Sequence, residues 1–236
     1  MSLDPAKTWV LVPAAGVGVR MGANRPKQYL PLCDHTLLEQ TLTRLLAASD
    51  IRALLLMLSA EDDYWHQLPL SHDSRIQTLI GGSERADSVL NGLRALEPYA
   101  GADDWVLVHD AARPCITPAQ IEALRTAVVE HPVGGILGVP VSDTVKRVSA
   151  GEILATEDRR PLWRAQTPQI FRYRLLRDCL ATALEQGLAI TDEASAVEAF
   201  GHRPLMVEGR EDNLKVTRPE DLPLAALILE QQEKTP

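Results

Sequence analysis

Short unbroken apolar runs alternate along this chain with stretches in which apolar residues return every third or fourth position. Trp9-Val10-Leu11-Val12, Ala53 to Ser59, Trp105 to His109 and Gly134 to Val141 are such runs of strand length, and Ile76 to Ile80 reads as a further strand. Runs without polar interruption are expected where a strand is covered on both faces. Between them, Leu37, Leu38, Thr41, Leu42, Leu45 and Leu46 predict a helix ending near Ala48. Val89, Leu90, Leu93 and Leu96 predict another after Gly81-Gly82-Ser83, and Pro118 opens a third with Ile121, Leu124 and Val128 inward. Further on, Leu175, Leu176, Cys179, Leu180, Ala183 and Leu184 give a helix closed by Gly187. Thr191-Asp192-Glu193 starts a fifth, with a hydroxyl as cap and carboxylates in its first turn. Pro204 to Val207 and Asn213 to Thr217 read as short strands, and Pro219 begins a terminal helix with Leu222, Ala225, Ala226 and Leu229 inward. This alternation calls for an α/β fold with a doubly wound, mostly parallel sheet between helices.

The rhythm breaks at about residues 142–161. Val145 to Val148 and Ile153 to Thr156 flank Ser149-Ala150-Gly151-Glu152, the pattern of a β-hairpin with a short glycine-containing turn. Its apolar residues are too few for a core of its own, and an isolated hairpin is marginal in water. It packs either on its own domain or on a second subunit. No internal repeat or linker is visible, so one domain over 1–236 with a hairpin arm is expected.

Charge and composition narrow the function classes. A net charge of −8 argues against a nucleic-acid face, although a local Arg and Lys cluster can still hold a small anion. No apolar run reaches membrane-spanning length, and Met1 to Pro5 has neither the basic start nor the apolar core of a signal peptide. Cys33, Cys115 and Cys179 fit neither a disulfide framework nor a zinc site and read as reduced thiols, so a cytoplasmic location is expected.

The chemistry concentrates where strands end. After the first strand comes Pro13-Ala14-Ala15-Gly16-Val17-Gly18-Val19-Arg20-Met21-Gly22, then Arg25-Pro26-Lys27-Gln28-Tyr29. Small residues there admit a ligand to the backbone N–H groups, and Arg20, Arg25 and Lys27 add positive charge, as a phosphate site needs. A dinucleotide fingerprint would need glycine at Met21, and a Walker A loop would need Gly-Lys-Ser/Thr five residues after Gly16; neither is present. Gly81 to Ser88, His109 to Arg113 and the region of Lys215 fall at the same sheet edge in a doubly wound fold. Together they would bring Arg20, Lys27, Asp110, Arg113 and Lys215 into one site: cations for phosphates, and Asp110 as a carboxylate able to help hold a metal ion. No Ser, Cys or His stands in a nucleophile motif, which favours attack by an already anionic substrate. His109, inside an apolar strand, is expected to be a hydrogen-bonded core residue.

These segments resemble a known family. Pro13-Ala14-Ala15-Gly16-x-Gly18-x-Arg20-Met21, Pro26-Lys27-Gln28-Tyr29, Gly81-Gly82-x-x-Arg85-x-x-Ser88 and Val108-His109-Asp110-Ala111-Ala112-Arg113-Pro114 are similar to motifs of the 2-C-methyl-D-erythritol 4-phosphate cytidylyltransferases. Asp143-Thr144-x-Lys146, Thr167-Pro168-Gln169, Thr191-Asp192-Glu193-Ala194-Ser195 and Asp212-Asn213-x-Lys215-Val216-Thr217 continue the match in order, from about Val10 to Leu224. The resemblance implies a Rossmann-like nucleotidyltransferase fold and Mg²⁺-dependent transfer of a cytidylyl group from CTP to methylerythritol phosphate in the non-mevalonate isoprenoid pathway. Arg20 and Lys27 would stabilise the transition state; Arg159 and Lys215 would position the sugar phosphate. Pro13, Ala14, Ala15, Gly16, Gly18, Gly82, Ser88 and Ala111 would surround CTP, and Asp110, Arg113, Thr144 and Thr191 would contact the acceptor. The family is a homodimer with crossing arms, so Thr144 and Arg159 would serve the neighbour's site. Where the family has Asn after the arm arginine this chain has Arg160-Pro161, and spacing from Leu162-Trp163 selects Arg159. A ribitol-phosphate cytidylyltransferase and a catalytically silent nucleotide-binding subunit are the competing readings.

Overall fold

Each of the early strands sends successive side chains to opposite faces, so each feeds two cores. In the computed structural model, which describes residues 7–16 and 25–234, β1 (Thr8–Pro13) places Trp9 and Leu11 on one face and Val10 and Val12 on the other. β4 (Ile51–Leu58) divides likewise, with Leu55 and Met57 on the first face and Leu54 and Leu56 on the second. Against the first face pack α2 (Arg85–Ala95), α4 (Tyr173–Glu185) and α5 (Glu193–Glu198); against the second pack α1 (Leu37–Leu46) and α3 (Pro118–Val128). Thr36 and Thr117 cap α1 and α3 through capping boxes, which fixes where both helices begin.

Seven strands form the main sheet. With β5 (Ile76–Ile80), β6 (Trp105–Val108), β7 (Gly134–Pro140), β10 (Trp163–Arg172) and β11 (Leu205–Glu208), the order is β11-β7-β10-β6-β1-β4-β5. β10 alone runs antiparallel, between β6 and β7. The order reverses at β1, with β4 on one side and β6 on the other. A crevice opens beyond the carboxyl ends of strands at such a switch point, and ligands bind there.

Two small hairpins stand outside this sheet. Pro31–Leu32 (β2) pairs with His35–Thr36 (β3). The predicted arm is β8 (Lys146–Ser149) and β9 (Glu152–Thr156), which pair only with each other. Its turn uses positive φ at Ala150 and Gly151. Every residue of both arm strands is exposed, so the arm does not fold back on its own body.

Three predicted boundaries change. Asn213 to Thr217 is not a strand: this segment crosses the sheet edge, held by the Val216 N–H to Ala112 carbonyl bond at 2.8 Å and by the buried Asn213 side chain. α5 is capped by Asp192, whose carboxylate accepts from the Ser195 N–H at 2.9 Å, and not by Thr191. The last helix, α6 (Asp221–Lys234), begins at Asp221 rather than Pro219 and buries Ala225 and Leu229 beside Leu32 and Cys115. Among the described residues no helix is long and apolar enough to cross a membrane.

Candidate active site

The crevice is built from four chain segments. At the end of β1, Ala14 donates its N–H to the Met57 carbonyl, and its own carbonyl accepts from Gln28 Nε2 at 2.7 Å. That bond ties the opening loop to the short turn carrying Lys27, whose Nζ lies 3.1 Å from the Val216 carbonyl oxygen. Opposite, Ser88 Oγ accepts the Gly82 N–H at 2.9 Å and donates to the Glu84 carbonyl, which fixes the loop between β5 and α2. A Cβ on Gly81 would stand 2.5 Å from Ala15 Cβ and 2.8 Å from Ser88 Oγ, so glycine permits the close approach of the two loops.

Behind these loops lies a cluster of five charged side chains. Asp110, 7% exposed, takes Arg85 Nε on Oδ1 at 2.9 Å and Lys215 Nζ on Oδ2 at 2.7 Å, with Arg113 Nε at 3.8 Å. Arg85 also forms a two-point pair with Glu193 at 2.6 and 3.0 Å. Burial by itself would raise the Asp110 carboxyl, but Arg85, Lys215 and Arg113 outweigh it and hold it well below the usual carboxylate range. Burial likewise opposes the charge on Arg85, and Glu193 and Asp110 more than restore it. His109 is sealed beneath, its Nε2 3.0 Å from the Arg113 carbonyl and its Nδ1 3.2 Å from Thr167 Oγ1. Burial holds its imidazole down at about 4, so it is a neutral core residue, as its apolar surroundings predict.

Two cavities share this cluster as a common wall. The first, about 320 Å³, is lined by Pro13, Ala14, Ala15, Gly16, Lys27, Gly82, Ser88 and Ala111 among others. The second, about 200 Å³, is lined by Arg113, Gln166, Thr167, Gln169, Thr191 and Asp192 among others. Arg85, Asp110 and Lys215 line both. Larger concavities of about 770 and 860 Å³ lie elsewhere, and chemistry rather than size selects the crevice. In the 770 Å³ concavity the Arg172 guanidinium is already committed to the Asp103 and Val129 carbonyls and stacks on Trp105.

A family model described as IspD, 2-C-methyl-D-erythritol 4-phosphate cytidylyltransferase, matches residues 8–231. The chain belongs to this family. A 2-C-methyl-D-erythritol 4-phosphate cytidylyltransferase of Hahella chejuensis is 51% identical over 229 residues, covering 97% of this chain and 95% of the relative. The protein of that name from Tolumonas auensis is 53% identical over 224 residues, covering 94% and 96%. Among solved structures, Francisella tularensis 2-C-methyl-D-erythritol 4-phosphate cytidylyltransferase superposes with a TM-score of 0.83 at 35% identity, covering 94% of this chain and all of that one. As a cytidylyltransferase this protein is a nucleotidyltransferase enzyme.

Of the residues singled out in the sequence, the crevice gathers Pro13, Ala14, Ala15, Gly16, Lys27, Gly82, Ser88, Asp110, Ala111, Arg113, Thr191 and Lys215. Gly18 and Arg20 lie outside the described residues. Thr144 and Arg159 are exposed at the base of the arm and line neither cavity; Arg159 donates instead to the Ser142 carbonyl of its own chain. The cluster also contains Arg85 and Glu193, which no site motif in the sequence marks as charge partners. Arg85 stood in a quoted motif, but its carboxylate partner is 108 residues away, and no local spacing signals such a pair.

Proposed function

We propose that this cytidylyltransferase moves a cytidylyl group from CTP to 2-C-methyl-D-erythritol 4-phosphate, releasing pyrophosphate, as a step of the non-mevalonate isoprenoid pathway. The observation that carries this is the pair of adjoining cavities with one charged wall, a nucleotide-sized space beside a small polar one. CTP would occupy the first, against Pro13 to Gly16, Gly18, Gly82, Ser88 and Ala111. The acceptor would occupy the second, against Asp110, Arg113 and Thr191. Arg113 suits that role because it lines the second cavity beside Asp110.

In the reaction an acceptor phosphate oxygen forms a bond to the α-phosphorus of CTP as the bond from that phosphorus to the bridging oxygen breaks, and pyrophosphate leaves with the electron pair. The nucleophile arrives as an anion, so no side chain need be activated. Negative charge gathers on the α-phosphoryl oxygens as the bond forms, and Lys27 and Arg20 are assigned to stabilise that state more than the ground state. Lys215 orients the acceptor from the shared wall.

The residues do not fit a resident Mg²⁺. Asp110 is engaged by Arg85 and Lys215, and among the described residues no three carboxylate, histidine or cysteine side chains gather as a metal site. A divalent cation would enter on the triphosphate, which carries its own oxygen ligands and needs few protein ones.

The exposed arm suits a homodimer, in which Val148, Ile153 and Leu154 are covered and Thr144 and Arg159 reach the neighbouring site. We assign the chain one domain over 1–236 and a cytoplasmic location, with no nucleic-acid or membrane partner. Pyrophosphate release measured with CTP and either methylerythritol phosphate, ribitol phosphate or no acceptor tests the assignment. Release only with methylerythritol phosphate is expected; release with ribitol phosphate alone, or none with either, would overturn it.

A further inference from the structure

Glu193 lines neither cavity, is 1% exposed, and still makes the shortest contact of the charged cluster, 2.6 Å to Arg85. It is held from behind: Gln169 of β10 donates Nε2 to Asp192 at 2.8 Å and accepts the Ala194 N–H on Oε1 at 2.9 Å, which pins the first turn of α5 to the sheet. The guanidinium of Arg85 spends two edges on two carboxylates, Nε on Asp110 and both terminal nitrogens on Glu193. A two-point pair fixes a guanidinium plane far better than one contact does. The Arg85 plane in turn aims the Asp110 carboxylate, which faces both cavities.

We propose that Glu193 is a positioning residue for acceptor recognition, acting through Arg85 to fix the direction of the Asp110 carboxylate on the wall between the two cavities. This rests on the reading of the second cavity as the acceptor subsite. Three cations and two carboxylates meet in the cluster, so its net charge is +1 (3 − 2). Neutralising Glu193 leaves one edge of Arg85, its two terminal nitrogens, without a carboxylate, and the guanidinium swings towards the remaining anion, Asp110, or towards an incoming phosphate.

Glu193→Gln and Glu193→Asp, assayed with CTP and whichever acceptor the unaltered protein turns over, read the effect. Loosening one charge-assisted contact should raise the acceptor KM roughly tenfold in Glu193→Gln, with little change in the CTP KM. Glu193→Asp keeps the charge at shorter reach and should fall between Glu193→Gln and the unaltered protein. In an Arg85→Met background, adding Glu193→Gln should bring no further rise in acceptor KM. If Glu193→Gln does not fold, the acceptor KM of Glu193→Asp decides alone: raised supports the role, unchanged overturns it. A melting temperature that falls while acceptor KM stays flat, an equal rise in both KM values, or an undiminished effect in the Arg85→Met background each overturns the role as well. Failure of the unaltered protein to use methylerythritol phosphate would strike the proposed function alone.

Discussion

Lys215 Nζ lies 2.7 Å from Asp110 Oδ2, closing the crevice between the loop after β6 and the segment that precedes α6. Lys215 is partly exposed and can turn to water, whereas Arg85, on the other carboxylate oxygen, is largely enclosed. Asp110→Asn therefore leaves Arg85 on Glu193 alone and leaves Lys215 to turn to water. Breaking a buried pair costs about 3 to 5 kcal/mol, and the exposure of Lys215 brings the expected loss towards about 2 kcal/mol. Urea unfolding of the variant at neutral pH measures it.

Lys27 is tied to the opening loop through Gln28 and to the Lys215 segment through the Val216 carbonyl. Removing a transition-state donor costs about 3 to 4 kcal/mol, or roughly 100-fold to 1,000-fold in turnover. Lys27→Ala should lose that much kcat, and Arg20→Ala the same, with folding intact by circular dichroism. Near-normal turnover in either folded variant would remove that residue from the transition state.

β1, β4, β6 and β7 were legible because each holds an unbroken apolar run, and the helices because their apolar residues keep one period. β10 was not, although it lies between β6 and β7. Its inner half, Gln166-Thr167-Pro168-Gln169, is polar and contains a proline, and its outer half is exposed. Those polar side chains face the cluster and the α5 cap, so function displaced the pattern that marks a buried strand. Asn213 to Thr217 failed in the opposite way: Leu214 and Val216 alternate like a strand, but the backbone is held by the Val216 N–H to Ala112 bond and by Lys27 and Arg113 side chains rather than by a strand ladder. The lining of the 320 Å³ cavity was readable from its small residues, its glycines and Lys27. The Arg85–Glu193 pair was not, because charge pairing across the fold leaves no local signature.

Gly81→Ala should weaken CTP binding more than acceptor binding. The added methyl group meets Ala15 Cβ and Ser88 Oγ, so the opening loop and the β5–α2 loop must separate. Overpacking of this kind costs about 1 to 3 kcal/mol, and a roughly tenfold rise in CTP KM is expected. Steady-state kinetics with each substrate varied in turn distinguishes the two sides.

Stability should fall as the solution is acidified through the range of His109. Its folded pKa of about 4 lies below the ordinary value of 6.5, so the unfolded chain takes up the proton first. The stabilisation is complete above about 6.5 and is lost progressively towards about 4, amounting to about 3 kcal/mol. Asp110, also held below its ordinary range, adds a loss of the same sign at lower pH. Thermal melts of the native chain and of His109→Gln between pH 7 and 4 should show a shallower decline in the variant.

If arms are exchanged, two dead variants should repair each other. In a mixed dimer of Lys27→Ala with Arg159→Ala, one site collects both defects and the other collects neither. Random pairing of equal amounts then restores about a quarter of the native site number. Activity after mixing and re-equilibration, compared with each variant alone, measures this; no recovery would mean that Arg159 does not serve a neighbouring site.

The placement of β10 also sets what this chain can tolerate over time. β8 and β9 pair only with each other, so residues can be added or lost there without disturbing the sheet. Between Trp163 and Gln169 no such freedom exists. The strand pairs with β7 on both sides of an irregularity, and Thr167 must meet the Asp110 N–H while Gln169 reaches α5. One extra residue would turn each side chain to the wrong face. A change in length is thus absorbed more easily at the tip of the arm than in the seven residues from Trp163 to Gln169.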